Sequence, residues 1–517
     1  MRQAFFLALS ALLAGCAVGP DFVTPAPPDV AGYTKEPLPA QAAVPEVADG
    51  GAQRFVAGLD IPGQWWTLYR SPQLNTLIER ALKNNPDLQA GQAALRVAVE
   101  TVAAQQGGYY PSLSGSFSAS RQKNATAVIA PTLTSGTPYF SLFTPQLSIS
   151  YVPDVFGLNR RTVEGLVAQA EAQRYALAAT YLTLTSNVVT AAIAEASLRA
   201  QIAASEDIVK LETELLELFR KQLALGQIAE VDVAAQEAAL AQAETALPPL
   251  QKQLAQQRDL LTALTGGFPS AEPAETFELK GLELPLELPL SLPATLVEQR
   301  PDVRQAEANL HFASAEIGVA VANRLPNLTL TGNIGTTAAQ ANRLFTPGTG
   351  FWDIAANLTQ PIFDGGTLLH KERAARAAFD QSVAQYRGTV ITAIQNVADT
   401  LRALEYDAAA LKAAAHAEST AAHSLELVRA QLRLGAVNYL ALLNAQTTYQ
   451  QAAIGLVQAQ ATRLADTAAL FQALGGGWWN PPPAAADTPA TSAMRQPEPP
   501  GEDRGWFLNA IARPFGF

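Results

Sequence analysis

A chain of 517 residues with one cysteine, two methionines and four histidines has few of the side chains from which metal centres, redox pairs and nucleophilic triads are built. A single thiol excludes an internal disulfide and CxxC chemistry. His311, His370, His416 and His423 are scattered, and the last two are seven apart on one predicted helix, beyond the i, i+4 spacing that chelation favours. No Gly-Lys dipeptide occurs, which rules out a Walker-type phosphate loop, and there is no G-x-S-x-G elbow. Adjacent acids such as Glu206 and Asp207 face different sides of a helix and read as solvation. Basic charge is short as well: 35 Lys and Arg stand against 46 Asp and Glu, a net charge of −11 that leaves no stripe for nucleic acid. No apolar run of 18 or more residues follows the N-terminal region, so no transmembrane helix is expected. A membrane-spanning part would then have to be a closed β-barrel.

The chain is rich in small and apolar residues, 48% hydrophobic with only 16% charged, and it is duplicated. Pro86-Asp87 is followed 25 positions on by Pro111-Ser112-Leu113, and Pro301-Asp302 is followed at the same spacing by Pro326-Asn327-Leu328. Gln222-Leu223-Ala224-Leu225-Gly226 returns as Gln431-Leu432-Arg433-Leu434-Gly435, and Pro153 and Gly157 answer to Pro361 and Gly365. A repeat of this length implies one architecture with two halves.

Each half changes period in the same order. After Pro111, Leu113, Gly115, Phe117 and Ala119 alternate with serines, and Leu147, Ile149 and Tyr151 alternate with Ser148 and Ser150. Leu328, Leu330, Gly332 and Ile334, then Trp352, Ile354, Ala356 and Leu358, repeat the pair. Strands with one apolar and one small polar face suit a wall between lipid and water, although a soluble sheet with one solvated face shares the pattern. Each strand pair is followed by 68 residues, 158–225 and 367–434, without proline and with one glycine. As a continuous helix that length spans about 100 Å at ~1.5 Å per residue. Gly226 and Gly435 read as reversals into returning helices, the first of them interrupted at Pro248-Pro249. Four strands cannot close a barrel, so the reading requires cyclic copies of the chain.

The expected organisation is a signal peptide at 1–15, an extended lead at 16–62, and repeat 1 at 63–270 with strands near 112–120 and 140–151 and a helical hairpin near 158–264. Repeat 2 follows at 271–477 with strands near 327–335 and 351–360 and a hairpin near 367–474, and a Pro-rich tail occupies 478–517. Met1-Arg2-Gln3, a short apolar core and Leu13-Ala14-Gly15-Cys16 resemble the leader and lipobox of bacterial lipoproteins, which makes Cys16 the acylated first residue of the mature chain. Ala17 in place of an aspartate points to the outer membrane.

Taken in order, Cys16-Ala17-Val18-Gly19-Pro20-Asp21-Phe22, Arg300-Pro301-Asp302-Val303, Ile317-Gly318-Val319-Ala320 and Gln360-Pro361-Ile362-Phe363-Asp364-Gly365-Gly366 resemble the signatures of the TolC-like outer-membrane efflux lipoproteins. The resemblance runs from the lipobox to about Gly477. It implies a mainly α homotrimer with a membrane β-barrel of twelve strands and a periplasmic α-barrel of twelve helices. It further implies a passive exit duct partnered by a periplasmic adaptor and an inner-membrane antiporter of the resistance-nodulation-division (RND) class, with no enzyme activity and no cofactor beyond the lipid on Cys16. Carried over by position, Leu225-Gly226 and Leu434-Gly435 are the tips that meet the adaptor. The family's aspartate ring falls at Ala441 and Asn444, where this chain is neutral; Asp232 in the first half is either a substitute ring charge or a solvated helix residue. A duct for type I protein secretion and a structural envelope lipoprotein are the rival readings, and the substrate stays open.

Overall fold

The computed structural model describes residues 17–30, 32–35, 52–123, 139–291 and 293–480. The leader, Cys16, the segment 124–138 and the tail from 481 onward lie outside the described residues. In chain order the elements are β1 (Arg54–Ala57), α1 (Pro72–Asn84), α2 (Pro86–Gln106), β2 (Ser112–Lys123), β3 (Tyr139–Tyr151), α3 (Leu158–Ala224), α4 (Glu230–Glu244), α5 (Leu247–Leu264), β4 (Glu287–Leu290), α6 (Pro293–Gln299), α7 (Pro301–Ala322), β5 (Asn327–Thr336), β6 (Gly350–Thr359), α8 (Thr367–Arg433) and α9 (Tyr439–Ala473).

Local chemistry accounts for the boundaries. Ser71 caps α1, its hydroxyl accepting from the Leu74 N–H at 3.4 Å, with Pro72 in the first turn. Asn85 closes α1 and opens α2: its side-chain oxygen accepts from the N–H groups of Asp87 and Leu88 at 3.0 and 3.1 Å. Each 67-residue helix is opened by an aspartate that precedes it. Asp154 accepts from the N–H groups of Asn159 and Arg160 at 2.9 and 2.8 Å, and Asp364 accepts from those of Gly366 and Leu368 at 2.9 and 2.8 Å. Four N–H groups are orphaned at any helix start; Asp154 satisfies two of them in α3 and Asp364 one in α8, with the Gly366 N–H just ahead of it, and each carboxylate opposes the positive end of the helix dipole.

Both long helices end in the same Schellman turn. Gly226 N–H donates to Leu223 and Gln227 N–H to Gln222, while Gly435 N–H donates to Leu432 and Ala436 N–H to Gln431. Gly226 and Gly435 each take φ +70°, which a side chain would strain. The returning helix is continuous in the second half and broken at 245–246 in the first, where Pro248 and Pro249 fall in the opening turn of α5.

The chain divides into two compact units. One holds Arg96–Ala172, Ala306–Arg387 and the described residues up to Pro25. Its centre is a four-stranded antiparallel sheet in the order β2-β3-β5-β6, so that both hairpins join side by side and β2 and β6 are left as edges. The other unit holds Ala26–Leu95, Gln173–Gln305 and the chain from Gly388. Its core gathers Trp65, Trp66, Tyr69, Leu74, Leu77 and Ile78, all essentially solvent-free, with Phe471 stacked on Trp65 at 5.3 Å. An 18-residue window in α3 is apolar enough to cross a membrane, but 67% of it is buried inside the protein, as a packed helix requires.

The structure changes the expected ends of the folded region. Packed structure includes Gln53, inside the stretch read as an extended lead: Gln53 is solvent-free and bonded to Pro285, Thr467 and Arg463, and β1 pairs in parallel with β4. Four residues are too few to show a period in the sequence. At the other end Trp478, Trp479 and Asn480 belong to the fold rather than to a tail. Trp478 donates to the Gln299 carbonyl at 2.7 Å, and Trp479 and Asn480 donate to Asp60 at 3.2 and 2.7 Å. Gly475, Gly476 and Gly477, all at positive φ, turn the chain so that these side chains reach back.

Candidate functional site

The four-stranded sheet separates its residues by character. Along β2 and β3, Leu113 pairs with Ile149, Gly115 with Leu147 and Phe117 with Pro145; β3 continues with Leu147 opposite Ile334, and β5 with Ile334 opposite Trp352. These residues share one face, and among the described residues nothing covers Trp352 or Ile354, which are 74% and 81% exposed. The opposite face carries Ser112, Ser114, Ser148, Ser150, Thr331 and Asn333, all small and polar. An apolar face this extensive is stable only against hydrocarbon or another protein, and two unpaired edges require partners for their N–H and C=O groups. Beyond the strands, Ile362 and Phe363 are almost fully exposed at the turn into α8.

The residues just after Cys16 are seated against the same unit. Arg161, with its side chain 5% exposed, donates to the carbonyls of Val18 and Gly19 and to Asp21, and pairs with Glu164 at 2.7 Å. Phe22 stacks on His311 with ring centroids 4.3 Å apart, and His311 Nε2 lies 3.1 Å from Glu164. A Cβ on Gly157 would meet Ala17 at 2.7 Å, and one on Gly19 would meet Gly318 at 2.4 Å, so glycine is required at both close approaches. The lead therefore passes the start of α3, next to the end of β3. The Cys-Ala-Val-Gly-Pro-Asp-Phe string thus has a packing role that its sequence did not disclose. Cys16 itself lies outside the described residues.

At the far ends of the helices, Leu225 and Leu434 are 73% and 83% exposed on their turns. Behind them Leu216, Phe219 and Val233 form a small core, and Phe219 meets Tyr439 of the second half edge-on at 4.2 Å. Gln236 donates to the Glu212 carboxylate at 2.6 Å in this region, and burial raises the Glu212 pKa. Asp232 lies in the first turn of α4 and accepts from the Ala229 N–H at 3.1 Å. Asn438 caps α9 by accepting from the Ala441 N–H at 3.2 Å, and Asn444 is exposed one turn further on. Asp232, Ala441 and Asn444 are thus brought to the same kind of place, the opening turns of the returning helices.

The model of the outer membrane efflux protein family matches residues 77–267 and 292–476, one match per half. The chain is 30% identical over 479 residues to the toluene efflux pump outer membrane protein TtgF of Pseudomonas putida, covering 91% of this chain and 96% of that protein. It is 29% identical over 468 residues to the probable efflux pump outer membrane protein TtgC of the same species, covering 90% and 93%. The solved outer-membrane channel OprN superposes with a TM-score of 0.79 at 25% identity, covering 90% of this chain and all of that one. The fold is that of trimeric TolC-like channels, in which four strands and four hairpin arms per chain become a twelve-stranded β-barrel and a twelve-helix α-barrel. With both halves matched in order, an open four-stranded wall and the paired helical hairpins, this chain belongs to the outer membrane efflux protein family.

Proposed function

We propose that the protein is the outer-membrane exit duct of a tripartite RND efflux system, a homotrimer that conducts solutes passively from the periplasm to the exterior and carries out no catalysis of its own. The observation that carries this is the open sheet with one lipid-compatible face, one hydroxyl-lined face and two free edges. Three copies remove all the edges and turn the hydroxyl face inward. The adaptor meets the exposed leucines at Leu225-Gly226 and Leu434-Gly435, and an inner-membrane antiporter supplies the energy. Asp232, Ala441 and Asn444 line the periplasmic gate.

Lipid is attached at Cys16. The seat that Arg161 makes for Val18, Gly19 and Asp21 supports this, because it fixes the residue after Cys16 beside the junction of strand and helix, where acyl chains can enter the bilayer.

The test is purification in detergent, native mass spectrometry and reconstitution into planar bilayers. Three copies with discrete conductance steps are expected; a monomer without conductance contradicts the duct. Growth of a deletion strain against toxic solutes, with and without the adaptor, separates efflux from type I protein secretion.

A further inference from the structure

The polar face of the sheet is nearly free of charge. In the register of the four strands, Ser114 lies opposite Ser148, Ser148 opposite Asn333, and Asn333 opposite Asp353, so these side chains form one row across the wall. Asp353 is the one ionisable residue on that face among the described strand residues; Arg121, Lys123, Tyr139 and Tyr151 fall on the other. The neighbouring rows, Ser116 to Phe351 and Ser112 to Ala355, are neutral. Asn333 Nδ2 donates to Asp353 Oδ2 at 3.1 Å, which fixes one carboxylate oxygen across the strand pair and leaves the other without a partner in this bond. A carboxylate on a membrane strand is tolerated on the water-filled side of the wall, where it acts on whatever passes.

We infer that Asp353 sets the charge preference of the duct. Three copies place a ring of carboxylates in the lumen of the β-barrel, which draws cations and cationic solutes and holds back anions. The inference rests on the trimeric duct proposed above. Twelve strands about 4.8 Å apart and tilted about 40° give a backbone radius of about 12 Å. An aspartate reaching inward places its charge about 8 Å from the axis, one Debye length at physiological ionic strength. Three such charges favour a monovalent cation over an anion by roughly sevenfold at the level of the ring. A ring here is separate from any charge at the helical ends, because it belongs to the membrane wall.

The experiment is the reversal potential of the purified trimer in planar bilayers under a KCl gradient, for wild type, Asp353→Asn and Ser148→Asp. Asp353→Asn keeps the size of the side chain, and its potassium-to-chloride permeability ratio falls severalfold; Ser148→Asp adds a second carboxylate to the same row and raises the ratio. An unchanged ratio in a conducting Asp353→Asn channel overturns the proposal. Should that variant fail to insert, an unchanged ratio in Ser148→Asp overturns it equally. A wild-type protein with no conductance at all would instead contradict the duct itself.

Discussion

Asn85 and Arg300 hold matching positions in the two halves, each just before a Pro-Asp pair. Asn85 Nδ2 donates to the Leu264 carbonyl at 3.1 Å, and Arg300 Nη1 donates to the Ala473 carbonyl at 2.8 Å. Each ties the short helix of its half to the last turn of the returning hairpin, one with an amide and one with a guanidinium. The helical ends show the same exchange. Ala229 in the first half cannot cap α4, and Asp232 in its first turn reaches back to the Ala229 N–H. The second half places Asn438 at the capping position, and Ala441, which matches Asp232, needs no carboxylate. Divergence between duplicated halves therefore has to be tested first as an alternative solution to one local problem. The asymmetry of Asp232 and Ala441, which in sequence suggests a gate, already has a cause in helix capping; a gating role would be additional to it.

The largest expected effect comes where the halves differ in buried charge. Glu195 is solvent-free and pairs with Arg199 at 2.7 Å and Arg258 at 3.0 Å, while the matching position in the second half is the equally buried Leu404. Glu195→Ala takes the buried carboxylate away from Arg199 and from one side of Arg258, which keeps Glu272 at 2.7 Å and the Pro273 carbonyl at 2.8 Å, and costs about 3 kcal/mol, read as loss of denaturant stability; a change within the noise would show the first half tolerates the second half's apolar solution unaided. Gly226→Ala and Gly435→Ala come next, each opening its turn by about 1–2 kcal/mol because both residues have positive φ. Hydrogen exchange at the two turns measures this, and unequal losses would break the equivalence of the tips.

Smaller again is the cap exchange. Asp232→Ala and Asn438→Ala each cost about 1 kcal/mol, and Ala229→Asn restores the first whereas Ala441→Asp restores the second. Additive losses without rescue would refute the capping explanation. A further effect is pH-dependent. Burial, then the hydrogen bond and repulsion from Asp466, raise the Asp407 pKa to about 7, against the favourable charge of Arg463. The folded state binds a proton that the unfolded state releases near pH 4, so this contribution is present at low pH and is lost as pH rises from about 4 to 7. Asp407→Asn therefore raises the melting temperature more at pH 8 than at pH 5; an equal shift at both would remove Asp407 from the pH response.

The alternation at 113–119, 147–151, 328–334 and 352–358 was legible because each strand keeps one face on lipid and one on water, a strict period of two. The long helices were legible because nothing in 68 residues breaks them. The seat of the lead was not, since it depends on Arg161, Glu164 and His311 meeting residues more than a hundred positions away. Nor was the row that ends at Asp353, because alternation along a strand defines its faces but not which residues lie level on its neighbours. The aspartate of the Pro-Ile-Phe-Asp-Gly-Gly string carried a family signature, and only its two backbone bonds reveal that it starts a helix.

Whether the two halves are quasi-equivalent sixths of one closed wall is tested most directly by joining its edges. Single cysteines scanned along β2 and β6, in a chain whose one native thiol is Cys16, should form disulfides between different copies and yield a covalently closed trimer when both edges carry one. Cross-linking that stops at dimers, or that occurs only within a chain, would contradict the account.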